Sequence, residues 1–288
     1  MNTVEVAVLG TGTMGVGVVH SLLRAGFGLR AWNRTAAKAQ PLAGDGAIVA
    51  ATAAEAISGA DVVITLLFDA DAVVEVVSQA AGAFGPETVW LQSATVGLDG
   101  TARVKALADE HGLKVLDAPV LGTKAPAEQG KLIPLVSGDP ALRARVQPVL
   151  DAIGTRTIWA GDALGQGSAL KLACNAWVAS INAAVAQSLA VAGALQIEPS
   201  LFLEAISGGP SDTPYAQLKG KQMLAGDFTP SFAVDGVVKD VGLITDAAQA
   251  AGVDSALLTA LRSLYAEASR NGLGEADMAA VYTVFLPR

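Results

Sequence analysis

Cysteine is almost missing from this 288-residue chain, which has only Cys174. That excludes a disulfide framework, an all-cysteine zinc site and an iron–sulfur cluster. Histidine is nearly as scarce: His20 sits in a helix-like stretch, and His111 precedes Gly112 at a helix end. Neither has a metal-ligand partner at suitable spacing, so no metal is expected; His20 reads as packing or solvent contact and His111 as a C-terminal cap. Charge is sparse, at 16% of residues, and basic side chains are outnumbered 19 to 27, for a net charge of −8. A nucleic-acid binder needs cations to displace phosphate counterions, so this balance argues against that class. Neither a basic stretch nor a small-residue cleavage site accompanies the apolar run Met1–Leu9, so a cytoplasmic location is expected. One run, Leu172–Leu195, is apolar over the length of a bilayer. Asn175, Ser180, Asn182, Gln187 and Ser188 interrupt it, and the expectation is a buried core helix with no membrane. Ser93 and Ser168 lack a His–Asp system, and Cys174 reads as a buried, inert thiol.

What the chain does have is apolar residues, 52% of the total, which excludes a disordered chain. Its length allows two domains at about 100–200 residues each. Strands are expected at Val4–Leu9, Leu29–Trp32, Asp61–Leu66, Thr88–Leu91, Leu113–Asp117 and Lys131–Val136, with helical stretches between them, the first at Thr13–Ala25. Such alternation implies βαβ units and a mostly parallel sheet covered on both faces. It stops near residue 162, where Gly161–Gly167 forms a glycine-rich break. Beyond it, helices are separated by Glu198-Pro199, Gly208-Gly209-Pro210, Thr229-Pro230 and Gly252. The expected organisation is an α/β domain over 1–162 and an all-α domain over 163–288, joined by a long helix from about 164 to 194.

Gly10-Thr11-Gly12-Thr13-Met14-Gly15 is G-x-G-x-x-G, placed after a strand and opening a helix. The first glycine permits the tight turn and the second lets the backbone approach a pyrophosphate. The third allows close helix–strand packing, and the helix N-terminus attracts the anion. With strand, loop, helix and second strand in order, these six residues predict a Rossmann dinucleotide site. The second strand ends in Trp32-Asn33-Arg34-Thr35, where an NAD-preferring site usually has Asp or Glu for the ribose 2′-hydroxyl. Asn33 does not repel a 2′-phosphate, Arg34 offers a planar fork of donors, Thr35 adds a hydroxyl, and Lys38 lies a turn further on. NADPH is therefore the expected cofactor.

Lys171 and Asn175 stand at i and i+4 in the long helix, on one face. A buried lysine becomes competent in proton transfer near neutral pH, whereas a lysine near a helix N-terminus merely opposes the dipole. Helical spacing alone leaves open whether Lys171 is functional or only snorkels to solvent.

Four motifs in order resemble the β-hydroxyacid dehydrogenase family: Gly10–Gly15; Asp117-Ala118-Pro119-Val120; Gly165-Gln166-Gly167 with Lys171 and Asn175; and Lys239-Asp240. The resemblance runs from residue 4 to about 285. It implies a Rossmann domain, an interdomain helix and a helical domain. It makes Lys171 the general acid in carbonyl reduction and Asn175 an orienting hydrogen-bonder. It brings Lys239 near the nicotinamide, with Asp240 supporting that helix. Ser93-Ala94-Thr95 falls where the family contacts substrate and nicotinamide, and Leu66, Leu67 and Phe68 line the cofactor. A cationic donor suits the charge developing on oxygen during reduction.

One departure stands out. The family often reads D-A-P-V-S-G, and here Leu121 replaces the hydroxyl. Gly122 and Thr123 still offer amides and a hydroxyl for a substrate anion. The run Lys124–Leu132 is similar to the glyoxylate/succinic-semialdehyde reductases, so a small aldehyde or keto acid is the expected substrate. Phe232 is expected at the substrate, and Trp177 in the core rather than the pocket; Tyr215 stays open between the two. Two alternatives remain: an imine reductase, which resembles this layout but commonly lacks the lysine, and a non-catalytic NADPH-binding protein. The alanine-rich, charge-poor helical half suggests a homodimer or larger assembly.

Overall fold

The computed structural model describes residues 4–286, so Met1–Thr3 of the expected N-terminal run lie outside it. Two compact units are present, Met1–Lys171 and Leu172–Arg288. The two units divide inside a helix whose first turn is bonded into the first unit.

The first unit is a nine-stranded sheet: β1 (Glu5–Leu9), β2 (Gly28–Trp32), β3 (Ile48–Val49), β4 (Val62–Thr65), β5 (Val89–Gln92), β6 (Lys114–Asp117), β7 (Val120–Leu121), β8 (Ile133–Ser137) and β9 (Ile158–Gly161). Its helices are α1 (Thr13–Arg24), α2 (Ala53–Ile57), α3 (Ala70–Ala80), α4 (Gly97–His111), α5 (Lys124–Glu128) and α6 (Arg143–Ile153). The strand order is β3-β2-β1-β4-β5-β6-β8-β7, with β9 on β8. From β3 to β6 every pairing is parallel. Alternating side chains bury both faces, as strand pleating requires. Val6, Val8, Ile64, Leu91 and Leu116 pack with α1 and α6, while Ala7, Leu9, Val63 and Trp90 pack with α3 and α4.

The expected strand at Lys131–Val136 is present as β8, yet it runs antiparallel to β6. The link between them forms a β7–β8 hairpin instead of a crossover helix, so the chain reverses. β3 and β7 have two residues each, too short for any alternation to be legible. The short α5 lies on α1, not across the sheet. A Cβ at Gly17 would sit 2.7 Å from the Glu128 amide, Ser21 Oγ donates to the Ala127 carbonyl at 2.8 Å, and the Arg24 guanidinium donates to the Glu128 carbonyl. His20 Nε2 lies 3.0 Å from Asp45 Oδ2, and Gly112, left-handed at φ 64°, closes α4 just after His111.

α7 (Gln166–Ala194) starts in the first unit and continues into the second, followed by α8 (Ser200–Ile206), α9 (Pro214–Ala225), α10 (Val234–Ala250), α11 (Ala256–Ala268) and α12 (Tyr282–Phe285). By length and composition α7 would pass for a membrane span. Its buried face is polar as well as apolar: Asn182 is fully buried and donates to Tyr265 Oη and to the Met278 carbonyl, each at 2.9 Å. Tyr265 Oη in turn donates to the Ala179 carbonyl at 3.0 Å, and burial pushes that phenol far above its ordinary pKa. Ala179, Ala183, Ala186 and Leu189 share the face, at the three-to-four spacing of a helix. Trp177 lies off that stripe and is 63% exposed, which corrects the expectation of a core tryptophan. Cys174 is only partly buried, against the expectation of a buried thiol, because it too lies beside the stripe rather than on it. Tyr215 belongs to the core, its hydroxyl 3.0 Å from Met278 Sδ.

A second buried polar group holds α9 in place. Lys219 Nζ is 2.5 Å from Asp277 Oδ1, with the side chains 1% and 0% exposed. Burial alone would push the Asp277 carboxyl up, but the Lys219 ammonium and donors from Ala279 and Ser231 outweigh it and hold it below the usual range. Removing one partner of a buried pair strands the other charge, at a cost of about 3–5 kcal/mol. Lys219→Met is expected to destabilise by that amount in urea unfolding. In the wild type, the Asp277 contribution is present above the ordinary carboxylate pKa and is lost as pH falls through the lowered one. A variant as stable as the wild type at pH 7 would contradict this.

Candidate active site

The glycine loop follows β1, and its glycines have different neighbours. Gly10 is left-handed at φ 103°, and a Cβ there would meet the Leu66 carbonyl; a Cβ at Gly15 would fall on the Gly10 carbonyl oxygen. At Gly12 a Cβ would meet nothing within 4 Å, so the open side of the loop is at the second glycine. That is the pattern of a loop approached by a pyrophosphate. Gly12 precedes α1, whose first turn has neither a side-chain cap nor an acidic residue, leaving its amides for an anion. Thr11 is 2% exposed, and its Oγ1 is buried with no hydrogen-bond partner. These features fit a dinucleotide phosphate.

At the end of β2, Gly10 N donates to the Trp32 carbonyl at 2.8 Å and Thr11 N to Asn33 Oδ1 at 3.0 Å. Arg34, Thr35 and Lys38 are exposed, and among the described residues neither cation is paired with a carboxylate. Leu66 and Leu67 follow β4 and border Gly10; Phe68 beyond them is 61% exposed. Ser93-Ala94-Thr95 follows β5. A residue not anticipated from sequence holds this loop: buried Gln92 accepts from Ala94 N at 2.9 Å and Thr65 Oγ1 at 3.0 Å, and donates to the Ala94 carbonyl at 2.8 Å. Only the register of β4 against β5 pairs Thr65 with Gln92, so no local pattern would have revealed it. All these segments leave the carboxyl ends of parallel strands, where open α/β sheets bind ligands.

Asp117 ends β6 and is 1% exposed. Its carboxylate accepts from Ser168 N and Ser168 Oγ, both at 2.7 Å, and from Ser137 Oγ at 3.3 Å. Ser137 Oγ also accepts from Gly167 N at 2.9 Å, and a Cβ at Gly167 would strike the Leu135 carbonyl. Burial pushes the Asp117 carboxyl above its ordinary range, although the Ser168, Ser137 and Gly165 donors pull the other way. One turn further along α7, Lys171 is 9% exposed and its Nζ donates to the Val120 carbonyl at 2.8 Å. Lys171 is thereby held beside the Asp117–Val120 segment; Gly122 and Thr123 follow β7 with their chain at the surface or partly buried.

In the second unit Asn175 Nδ2 donates to Asp240 Oδ2 at 2.6 Å, and Lys239 Nζ lies 2.8 Å from Asp240 Oδ1. Asp240 thus orients Asn175 and offsets the charge of Lys239 from adjacent positions of α10. Phe232, just before α10, is partly buried, and its ring covers Gly236, where a Cβ would come within 2.8 Å.

Residues 5–161 match the NAD binding domain of 6-phosphogluconate dehydrogenase, and residues 165–285 match the NAD-binding region of NADP-dependent 3-hydroxyisobutyrate dehydrogenase. The chain is 30% identical to glyoxylate/succinic semialdehyde reductase 2 of Arabidopsis thaliana, over 98% of its own length and 79% of the relative's. It is 33% identical to L-threonate dehydrogenase of Cupriavidus necator, over 98% and 96%. The crystal structure of 3-hydroxyisobutyrate dehydrogenase from Salmonella typhimurium superposes with a TM-score of 0.90 at 29% identity, covering 98% and 99% of the chains. Fold, glycine loop and relatives together define an NAD(P)-dependent oxidoreductase. The chain belongs to the β-hydroxyacid dehydrogenase family and is a dehydrogenase of that type, acting on a small molecule. The reading as a non-catalytic binder is set aside on the same ground.

The glycine geometry separates packing from ligand approach. Gly15→Ala is expected to destabilise by about 1–3 kcal/mol through overpacking, read as a lower Tm. Gly12→Ala should leave Tm nearly unchanged and weaken nicotinamide cofactor binding in a titration. Equal losses of Tm in the two variants would contradict the assignment.

Proposed function

We propose that this protein is an NADPH-dependent reductase of a short aldehyde or keto acid, of the semialdehyde or glyoxylate type, with Lys171 as proton donor. The carrying observation is Lys171 itself: a lysine 9% exposed, fixed by the Val120 carbonyl at 2.8 Å one turn into α7. A reduced nicotinamide, when bound, would supply the hydride that the carbonyl carbon needs. Lys171 gives a proton to the oxygen, so the carbonyl π pair becomes an O–H bond, and the neutral lysine regains its proton from solvent. An ammonium at this position stabilises the charge that develops on oxygen and is worth more in the transition state than in the ground state. Asn175, held by Asp240, orients the substrate by hydrogen bonding, and Lys239 and Phe232 contribute from the same unit. Thr95, Gly122 and Thr123 receive the substrate's anionic group. Exposed Arg34, Thr35 and Lys38 take the 2′-phosphate, Arg34 through its planar fork.

A second reading, imine reduction, is favoured by one residue: partly buried Leu121 puts an apolar side chain where the family's serine would be. Lysine at 171 favours carbonyl chemistry. Absorbance at 340 nm with aldehydes, keto acids and cyclic imines, using both cofactors, decides between them. The expected outcome is highest kcat/KM with NADPH and a short carbonyl acid. Lys171→Ala should lower kcat by about 10²–10⁴-fold, and Arg34→Ala should weaken NADPH use more than NADH use. Unchanged activity in the lysine variant would remove the proton-donor role, and faster turnover of imines would replace the substrate class.

A homodimer completes the proposal. Trp177, Val191, Leu195 and Ile197 of the second unit expose 51–70% of their large apolar side chains, more than an isolated surface favours. Light scattering at micromolar concentration should give at least the dimer mass; a monomer would refute it.

A further inference from the structure

We propose that Asn33 is a positioning residue that sets cofactor selectivity from inside the protein, by bracing the glycine loop against the end of β2. The selectivity part rests on the NADPH reading above; the brace does not. Asn33 Oδ1 accepts from Thr11 N at 3.0 Å, and its Nδ2 donates to the Thr35 carbonyl at 3.0 Å. The two contacts need opposite polarity, and a carboxamide carries one acceptor and one donor. A carboxylate keeps the first contact and sets oxygen against oxygen in the second. A methyl keeps neither.

The two ends govern different parts of the cofactor. Gly10 N is already bonded to the Trp32 carbonyl, so Thr11 N is the second successive loop amide taken up by the end of β2. With both fixed, the loop is held over the first turn of α1, and the buried, unpartnered Thr11 hydroxyl is held with it. This acceptor end serves the pyrophosphate, which both nicotinamide dinucleotides share. The donor end closes over the backbone of Arg34 and fixes Thr35, while the Arg34 side chain stays in solvent. It therefore serves only the 2′-phosphate. Asn33 accordingly acts through Thr11 and Thr35 rather than as a simple phosphate ligand, and the two functions are separable by substitution.

The test compares Asn33→Ala and Asn33→Asp with the wild type. Dissociation constants for NADPH and NADH come from fluorescence titration, and exchange of the Thr11 amide is measured in the cofactor-free protein. Stranding the Thr11 amide should weaken both dinucleotides about 5- to 100-fold in Asn33→Ala and speed Thr11 exchange. Asn33→Asp should keep Thr11 protected and NADH binding near wild type, and lose NADPH binding. Unchanged NADH affinity and unchanged Thr11 exchange in Asn33→Ala would overturn the brace, because a mere 2′-phosphate ligand gives that result. If Asn33→Ala does not fold, fast Thr11 exchange in Asn33→Asp overturns it, and protection with retained NADH binding supports it. A wild type that binds NADH more tightly overturns the selectivity claim and the NADPH reading, while the NADH affinity and Thr11 exchange of Asn33→Ala still decide the brace.

Discussion

The buried carboxylate of Asp117 is the contact on which the Lys171 end of the first unit depends. It stands at the last residue of β6 and takes both the backbone and the side-chain donor of Ser168, so the sheet and the start of α7 become one body. A helix N-terminus leaves amides without partners, and a negative group placed there satisfies them and complements the dipole. Ser137 on β8 adds the Gly167 amide, and the absence of a side chain at Gly167 lets α7 come down onto β8. Lys171 sits one turn later on the helix so anchored. Its Nζ meets the Val120 carbonyl three residues beyond Asp117. The D-A-P-V segment and the lysine are thus two ends of one short circuit of hydrogen bonds.

The cofactor end is built on the same logic with the sign reversed. The protein satisfies the loop amides that would disturb the turn, at Gly10 and Thr11, and leaves the first turn of α1 without cap or carboxylate. A negative charge supplied by the protein there would compete with a phosphate for the same donors. The overall net charge of −8 is compatible with an anion site here, because exposed Arg34 and Lys38 carry local positive charge and distant surface charges are screened. α5 is gripped by α1 through Gly17, Ser21 and Arg24. The segment carrying Gly122 and Thr123 is thereby tied to the helix that the glycine loop opens.

The second unit shows why a chain so poor in charge still buries several polar groups. Asn182 Nδ2, Lys219 Nζ and Asn175 Nδ2 each find an acceptor inside the fold, at Tyr265, Asp277 and Asp240. Unsatisfied, each would cost more than it contributes. Alanine and glycine around them give little directional packing, so these bonds set which helix meets which. Asp240 has a further consequence: it joins a residue of α7 to a residue of α10, so Asn175 and Lys239 keep a fixed relation.

By itself the sequence determined the elements whose signal is local. β-branched runs and glycine spacing mark β1, the phosphate loop and α1, and the i, i+4 relation puts Lys171 and Asn175 on one face of α7. The order of four motifs identified the family, since each reflects chemistry carried by a few adjacent residues. What depends on pairing across the fold was not legible. The antiparallel entry of β8, the bond from Thr65 to Gln92 and the Asn33 contact with Thr11 bring together residues far apart in the chain, and no periodicity records a distant partner. The same holds for Trp177 and Cys174. Hydrophobicity assigned both to the interior, but rotation about the helix axis decides burial, and only packed neighbours fix that rotation. Local chemistry is written in the sequence because it needs only neighbours; the supports that hold that chemistry in place are tertiary because their two halves meet only when the sheet and helices have formed.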